Sequence, residues 1–190
     1  MKPARKSGRF KTLRTSLIHR TRLFDLRAVR MRAPDGRRFR HQIICHPGAA
    51  VIVPVLPGNR FVLVRQFRTA VGQKIWEFPA GTLEKKETPL ACAKREIIEE
   101  IGYRAKTWKK LVSFYPAPGI STELMHVFVA TDLVPDKMVL DEDEFIEKRI
   151  VSFSRLQKMV FNGTMVDAKT MLSFLYFCRK FHRTKRNKSA

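Results

Sequence analysis

Acidic residues are scarce at both ends of this chain. It has 190 residues, with 38 Lys+Arg against 17 Asp+Glu, for a formal charge of +21. Residues 1–40 hold 14 basic side chains and two acids, and residues 179–190 hold six basic and no acidic ones. The middle, 41–178, carries 18 basic and 15 acidic residues, so +18 of the +21 lies in the two terminal segments. Long apolar runs are missing too. Ala49 to Pro57 is the most apolar stretch, far short of the ~20 residues a membrane-spanning helix needs. Only Cys45, Cys92 and Cys178 are present. They are odd in number and lack metal-type spacing, which argues against a disulfide framework and for a reducing, cytoplasmic setting. Apolar residues nevertheless make up 44% of the chain. That excludes a disordered protein and supplies one core of ordinary domain size.

The local patterns predict a mixed fold. Phe24–Arg32 and Arg37–Cys45 flank a Pro34-Asp35-Gly36 turn and read as a hairpin. Ala49–Leu56 and Arg60–Phe67 are strands joined by Pro57-Gly58-Asn59, and Lys74–Phe78 is a short extended piece. Thr88–Ile101 reads as a helix, with Thr88 as cap, Pro89 in its first position and Gly102 as its stop. Leu111–Phe114, Leu124–Ala130 and Ile146–Phe153 read as strands; Ser154–Phe161 and Asp167–Phe181 read as helices. Strands and helices that do not strictly alternate point to an α+β class.

One helix concentrates the acid that the termini lack. Leu90, Ala93, Ile97 and Ile101 recur at helical spacing and face inward, while Glu96, Glu99 and Glu100 share a second face. With Glu84 and Glu87 they place five glutamates within seventeen residues of a basic protein. Like charges so close repel by a few tenths of a kcal/mol per pair in an isolated helix. A solvated acidic face is the bland alternative. The Pro79-Ala80-Gly81 turn just upstream favours a divalent-metal site instead, and oxygen donors without His or Cys suit Mg²⁺ or Mn²⁺ better than Zn²⁺.

Gly81, five residues, Glu87, seven residues, then Arg95-Glu96-Ile97-Ile98-Glu99-Glu100-Ile101-Gly102-Tyr103 resembles the Nudix box at all nine of its restricted positions. The resemblance implies the Nudix fold, a mixed β-sheet sandwiched between helices, and hydrolysis of a nucleoside diphosphate linked to another moiety. It further implies that Glu96, Glu99, Glu100 and the Ala80 carbonyl hold the metal, with Arg95 orienting Glu87 or a neighbouring glutamate. Val62-Leu63-Val64-Arg65-Gln66-Phe67-Arg68, Trp76-Glu77-Phe78-Pro79-Ala80-Gly81, His46-Pro47-Gly48-Ala49-Ala50 and the segment Tyr115–Glu123 with Pro118 are similar to the ADP-ribose pyrophosphatase branch, as are Asp141–Glu147 and Asp167–Thr170.

By that similarity Glu142 is the catalytic base, Glu144 an added metal contact, Glu123 a ligand of the terminal ribose hydroxyls, and Arg68 a phosphate partner. A shift of two residues exchanges the roles of Glu142 and Glu144. Arg65 and Arg68 lie three apart on a strand and so point to opposite faces, which leaves Arg65 as a surface charge. Trp76, His46 and His126 read as structural.

The implied substrate is ADP-ribose, cleaved to AMP and ribose 5-phosphate, with GDP-mannose or a broad set of nucleotide sugars as the alternative. RNA-end hydrolysis or nucleic-acid binding by the basic tails ranks below both. The implied organisation is a basic arm (1–14), N-terminal β-strands exchanged within a homodimer (15–46), a hydrolase domain (47–181) and a basic tail (182–190).

Overall fold

Residues 9–137 and 146–181 are described in the computed structural model of the protein. The chain divides into two compact units, one of residues 1–47 with 117–123, the other of 48–116 with 124–190.

The first unit is a three-stranded antiparallel sheet in chain order: β1 (Lys11–Arg20), β2 (Asp25–Arg32) and β3 (Arg38–Cys45). The expected hairpin is β2–β3. Its turn closes through the Gly36 N–H donating to the Ala33 carbonyl at 2.9 Å, with Gly36 at φ +89°, a conformation open to glycine at little cost. Residues 11–14 do not belong to an arm; they open β1. That strand has no apolar–polar alternation because all ten of its residues are exposed, so periodicity could not mark it. Its pairing to β2 also shifts register between Thr12 and Arg14 and between Leu17 and His19. Segment 117–123 joins this unit through β3: the Ile44 N–H donates to the Ile120 carbonyl, and the Thr122 N–H to that of Ile44.

The second unit is built on a seven-stranded sheet. Its strands are β4 (Ala49–Leu56), β5 (Arg60–Arg68), β6 (Gln73–Glu77), β7 (Ala80–Thr82), β8 (Tyr103–Phe114), β9 (Met125–Pro135) and β10 (Glu147–Ser152). The spatial order is β10-β5-β4-β9-β8, with β6 added to β5 and β7 to β4. β4 and β9 run parallel, Ala49–Pro54 against Met125–Ala130, and the other pairs are antiparallel, so the sheet is mixed.

Strand periodicity divides the core in two. Val51, Val53, Phe61, Leu63, Val127, Val129 and Val151 face α2 (Phe153–Phe161) and α3 (Ala168–Phe181), where Leu156, Met159, Phe174 and Phe177 complete one cluster. Their alternates Ala50, Ile52, Val62, Val64, Phe128 and Ala130 face α1 (Pro89–Ile101), which supplies Cys92, Ala93, Ile97 and Ile101. The sheet is thus sandwiched between helices, with α1 the helix on its side among the described residues.

β8 is longer than Leu111–Phe114 and reaches back to Tyr103. Arg104, Lys106, Lys109 and Lys110 disguise its first part. It stands at the end of the strand order, where one backbone side has no neighbouring strand among the described residues.

Candidate active site

Each end of α1 is fixed by its own chemistry. Thr88 Oγ1 accepts the Ala91 N–H at 3.2 Å, Pro89 needs no donor in the first turn, and Gly102 at φ +67° returns its N–H to the Ile97 and Ile98 carbonyls. Buried Ala93, Ile97 and Ile101 set the rotation of the helix on the sheet. That rotation carries the glutamates toward the β7 turn.

Glu100 is almost wholly buried, and its Oε2 accepts the Ala80 N–H at 3.0 Å. Glu96 lies over Gly81 so closely that a Cβ on that glycine would sit 1.6 Å from Oε1. Gly81 is therefore required by the approach of the carboxylate, since its φ is ordinary. Arg95 threads the cluster: Nη1 donates to Glu96 at 2.6 Å and to Glu99 at 2.8 Å, Nε and Nη2 both donate to Glu87 at 3.1 Å, and Nη2 also reaches the Thr82 carbonyl at 3.3 Å. The hydrogen bonds to Glu87 lead in raising the Arg95 pKa, against some desolvation, with Glu96 and Glu99 adding to the rise. The same contact, ahead of a smaller opposing burial, holds the Glu87 carboxyl below its usual range.

Three carboxylates here, Glu87, Glu96 and Glu99, share one cation, and Glu100 lies beside them on the Ala80 N–H. The donors are all oxygen, they carry excess negative charge, and a backbone turn lies against them, which fits a hard divalent cation. Among the described residues no three His, Cys, Asp or Glu side chains are gathered closely enough to close around an ion. Arg95 instead spans the space between Glu96 and Glu99.

Arg68 lies in a second polar cluster. Its Nε and Nη2 form a fork on Glu77 at 2.8 and 2.6 Å, and Lys169 Nζ also bonds Glu77. Lys169 reaches Asp167 at 3.0 Å, Thr170 Oγ1 donates to Asp167 at 2.5 Å, and the Phe78 N–H donates to Thr170 Oγ1 at 2.7 Å. The network ties β5 and β6 to the start of α3. Burial raises the Glu77 pKa, but Arg68 and Lys169 outweigh it, and the carboxyl stays below its usual value. Sequence reasoning missed Glu77 and Lys169. A carboxylate between Trp76 and Phe78 was the available signal, but its partner lies 92 residues away.

The remaining expected residues fall elsewhere. Glu123 belongs to the first unit, where its Oε1 stands 3.8 Å from His46 Nδ1. Glu142 and Glu144 lie outside the described residues. Arg65 lies 3.8 Å from Glu147 and 5.7 Å from the centre of the Trp76 ring, which Arg149 approaches at 4.7 Å. Nδ1 of His126 is 3.0 Å from Ser113 Oγ, and burial, helped by Lys110, lowers its pKa, so the ring stays neutral near pH 7.

A glutamate-bearing helix pinned to a glycine turn, within a mixed sheet covered by helices on both faces, is the framework of a hydrolase that works through one loop–helix segment. The NUDIX domain family model matches residues 46–174. An ADP-ribose pyrophosphatase of Bacillus subtilis is 38% identical over 173 residues, covering 90% of this chain and 94% of the relative. A GDP-mannose pyrophosphatase of Escherichia coli is 35% identical over 155 residues, covering 75% and 80%. A solved structure of an ADP compounds hydrolase superposes with a TM-score of 0.80 over 92% of this chain and 95% of its own, at 22% identity, and so shares the fold. The chain belongs to the Nudix hydrolase family. Such hydrolases generally require a divalent metal. No helix among the described residues is long and apolar enough to cross a membrane.

Proposed function

We propose that the protein hydrolyses the pyrophosphate bond of nucleoside diphosphate sugars, with ADP-ribose as the principal substrate and Mg²⁺ as the metal, replaceable by Mn²⁺. The observation that carries this is the seating of Glu96 on Gly81 and of Glu100 on the Ala80 N–H, which puts two buried carboxylates against the backbone of β7 at one point. The named activities of the Bacillus and Escherichia relatives support the substrate class.

Glu96, Glu99, Glu100 and the Ala80 carbonyl would hold the metal. When bound, the metal offsets the diphosphate's charge and makes a coordinated water acidic. Arg95 holds Glu96 and Glu99 turned toward each other by donating to both from Nη1. Arg68 contacts a phosphate of the substrate, Glu123 the terminal ribose hydroxyls, and Glu142 accepts a proton from the attacking water, with Glu144 as a further metal contact. The water oxygen bonds to one phosphorus, the bridging P–O bond breaks, and AMP and ribose 5-phosphate leave.

Residues 47–181 carry this chemistry, and residues 15–46 form a homodimer element. Exposure of Leu17 and Ile18 on β1 supports the latter. A reducing, cytoplasmic setting belongs to the same proposal.

The test is a panel of ADP-ribose, GDP-mannose and dinucleotides with Mg²⁺, with products identified by mass spectrometry in ¹⁸O-labelled water. AMP and ribose 5-phosphate at the highest kcat/KM are expected; the label identifies the attacked phosphorus. A preference for GDP-mannose would move the assignment to the second relative's substrate. Glu100→Gln should lower kcat by at least about 100-fold with an unchanged circular dichroism spectrum. Undiminished turnover in that variant would remove the site.

A further inference from the structure

The register of the first unit sets like charges opposite one another. Lys11, Arg32 and Arg38 stand in one row across β1, β2 and β3, and Arg14, Arg30 and Arg40 stand in the next. Directly paired residues point to the same face of a sheet, so these six cations form a single array, two rows of three. All six are exposed. Four of them, Arg14, Arg30, Arg38 and Arg40, line a shallow depression of about 570 Å³.

Among the described residues none of the six has a carboxylate partner, and the unit's acids are engaged elsewhere. Asp25 is bound by Arg20 and Arg27, Asp35 by Arg37, and Glu123 faces His46. Neighbouring strands run ~4.8 Å apart, well inside the ~8–10 Å over which salt screens exposed charges. Like charges placed directly opposite destabilise a sheet. The unit therefore keeps an array whose counter-charge must come from outside it.

We propose that this face binds the phosphate backbone of a nucleic acid, without regard to sequence. Arginine forks match phosphate oxygens in pairs, and a repeating polyanion satisfies adjacent rows at once, as a single free anion does not. The next row along the sheet is Ser16, Ala28 and Gln42. It adds no large apolar group to the exposed Leu13 at the depression, and one leucine falls short of the apolar face that docking on a membrane requires. The aromatic ring lining the depression, Phe39, is already packed edge-on against Phe10 and His41, so the contacts are to phosphate and carry no sequence information. This goes beyond hydrolysis and does not depend on it.

The test is fluorescence anisotropy of the full chain with a short fluorescein-labelled RNA, titrated across salt concentrations. An Arg14→Gln/Arg30→Gln/Arg40→Gln variant is compared with Lys185→Gln/Arg186→Gln/Lys188→Gln, which removes the same charge from the C-terminal tail. The sheet variant should bind at least about tenfold more weakly near 0.1 M salt. Its slope of log K against log salt should be shallower by about 2, the value for three lost single-strand contacts. The tail variant should change by less than about threefold. Thermal melting accompanies both, and the sheet variant should melt no lower than the parent. If it does melt lower, Arg32→Gln/Arg38→Gln from the other row replaces it and must show a proportionate loss. Equal weakening by sheet and tail variants, no RNA binding at physiological salt, or capture by phosphatidylserine vesicles in preference to RNA would each overturn the proposal.

Discussion

At the scale of single residues, the site depends on what is missing at position 81. Gly81→Ala would push a methyl group to within 1.6 Å of Glu96 Oε1, and backbone on one side and α1 on the other leave the carboxylate as the part that moves. The expected outcome is a loss of kcat comparable to that of Glu100→Gln, at nearly unchanged stability, read by steady-state kinetics beside a urea titration. The motif spacing made Gly81, Glu96 and Glu100 legible in the sequence, because a helix converts intervals of three and four residues into adjacency. The role of Glu77 was not legible. Its partners Arg68 and Lys169 come from β5 and α3, and only tertiary packing brings them to one carboxylate. The same packing gives Arg68 a fork on Glu77 that its position on a strand could not reveal.

At the scale of elements, α1 was readable from end to end, since cap, first-turn proline, apolar stripe and terminal glycine all agree. Thr88→Ala removes the hydrogen bond to the Ala91 N–H and should cost about 1 kcal/mol, measured as a shift of the urea midpoint at unchanged slope. β1 and the first half of β8 were not readable, because each is an outer strand rich in cations whose pairing is made by backbone atoms. The junction of β6 with α3 yields a pH prediction. The Glu77 pKa is depressed below 4.5 in the fold, so the stability it contributes is complete above its unfolded value and is lost as pH falls through the lower folded one. Lys169→Met removes part of that depression. It should cost about 2–4 kcal/mol at pH 7 and move acid unfolding to a less acidic pH, followed by circular dichroism between about pH 2 and 6.

At the scale of the whole molecule, a chain of 22.1 kDa that acts as a homodimer should show about twice that mass by light scattering. Leu17→Glu/Ile18→Glu on the exposed β1 should return it to the single-chain mass, because burying unpaired carboxylates opposes association. The uneven charge was plain in the sequence, but its ordering into cross-strand rows was not, since a slip of one residue would scatter the same cations over both faces. The parallel partnership of β4 with β9 has a further consequence, for the order of synthesis. A ribosome releases β4, the glycine turn and the entire glutamate helix before residues 125–130 exist, so the central strand emerges with one edge unmatched. The acidic segment is thus translated ahead of the strand that completes its sheet, and a chain halted near residue 120 would carry the full motif with β8 still unjoined to β4.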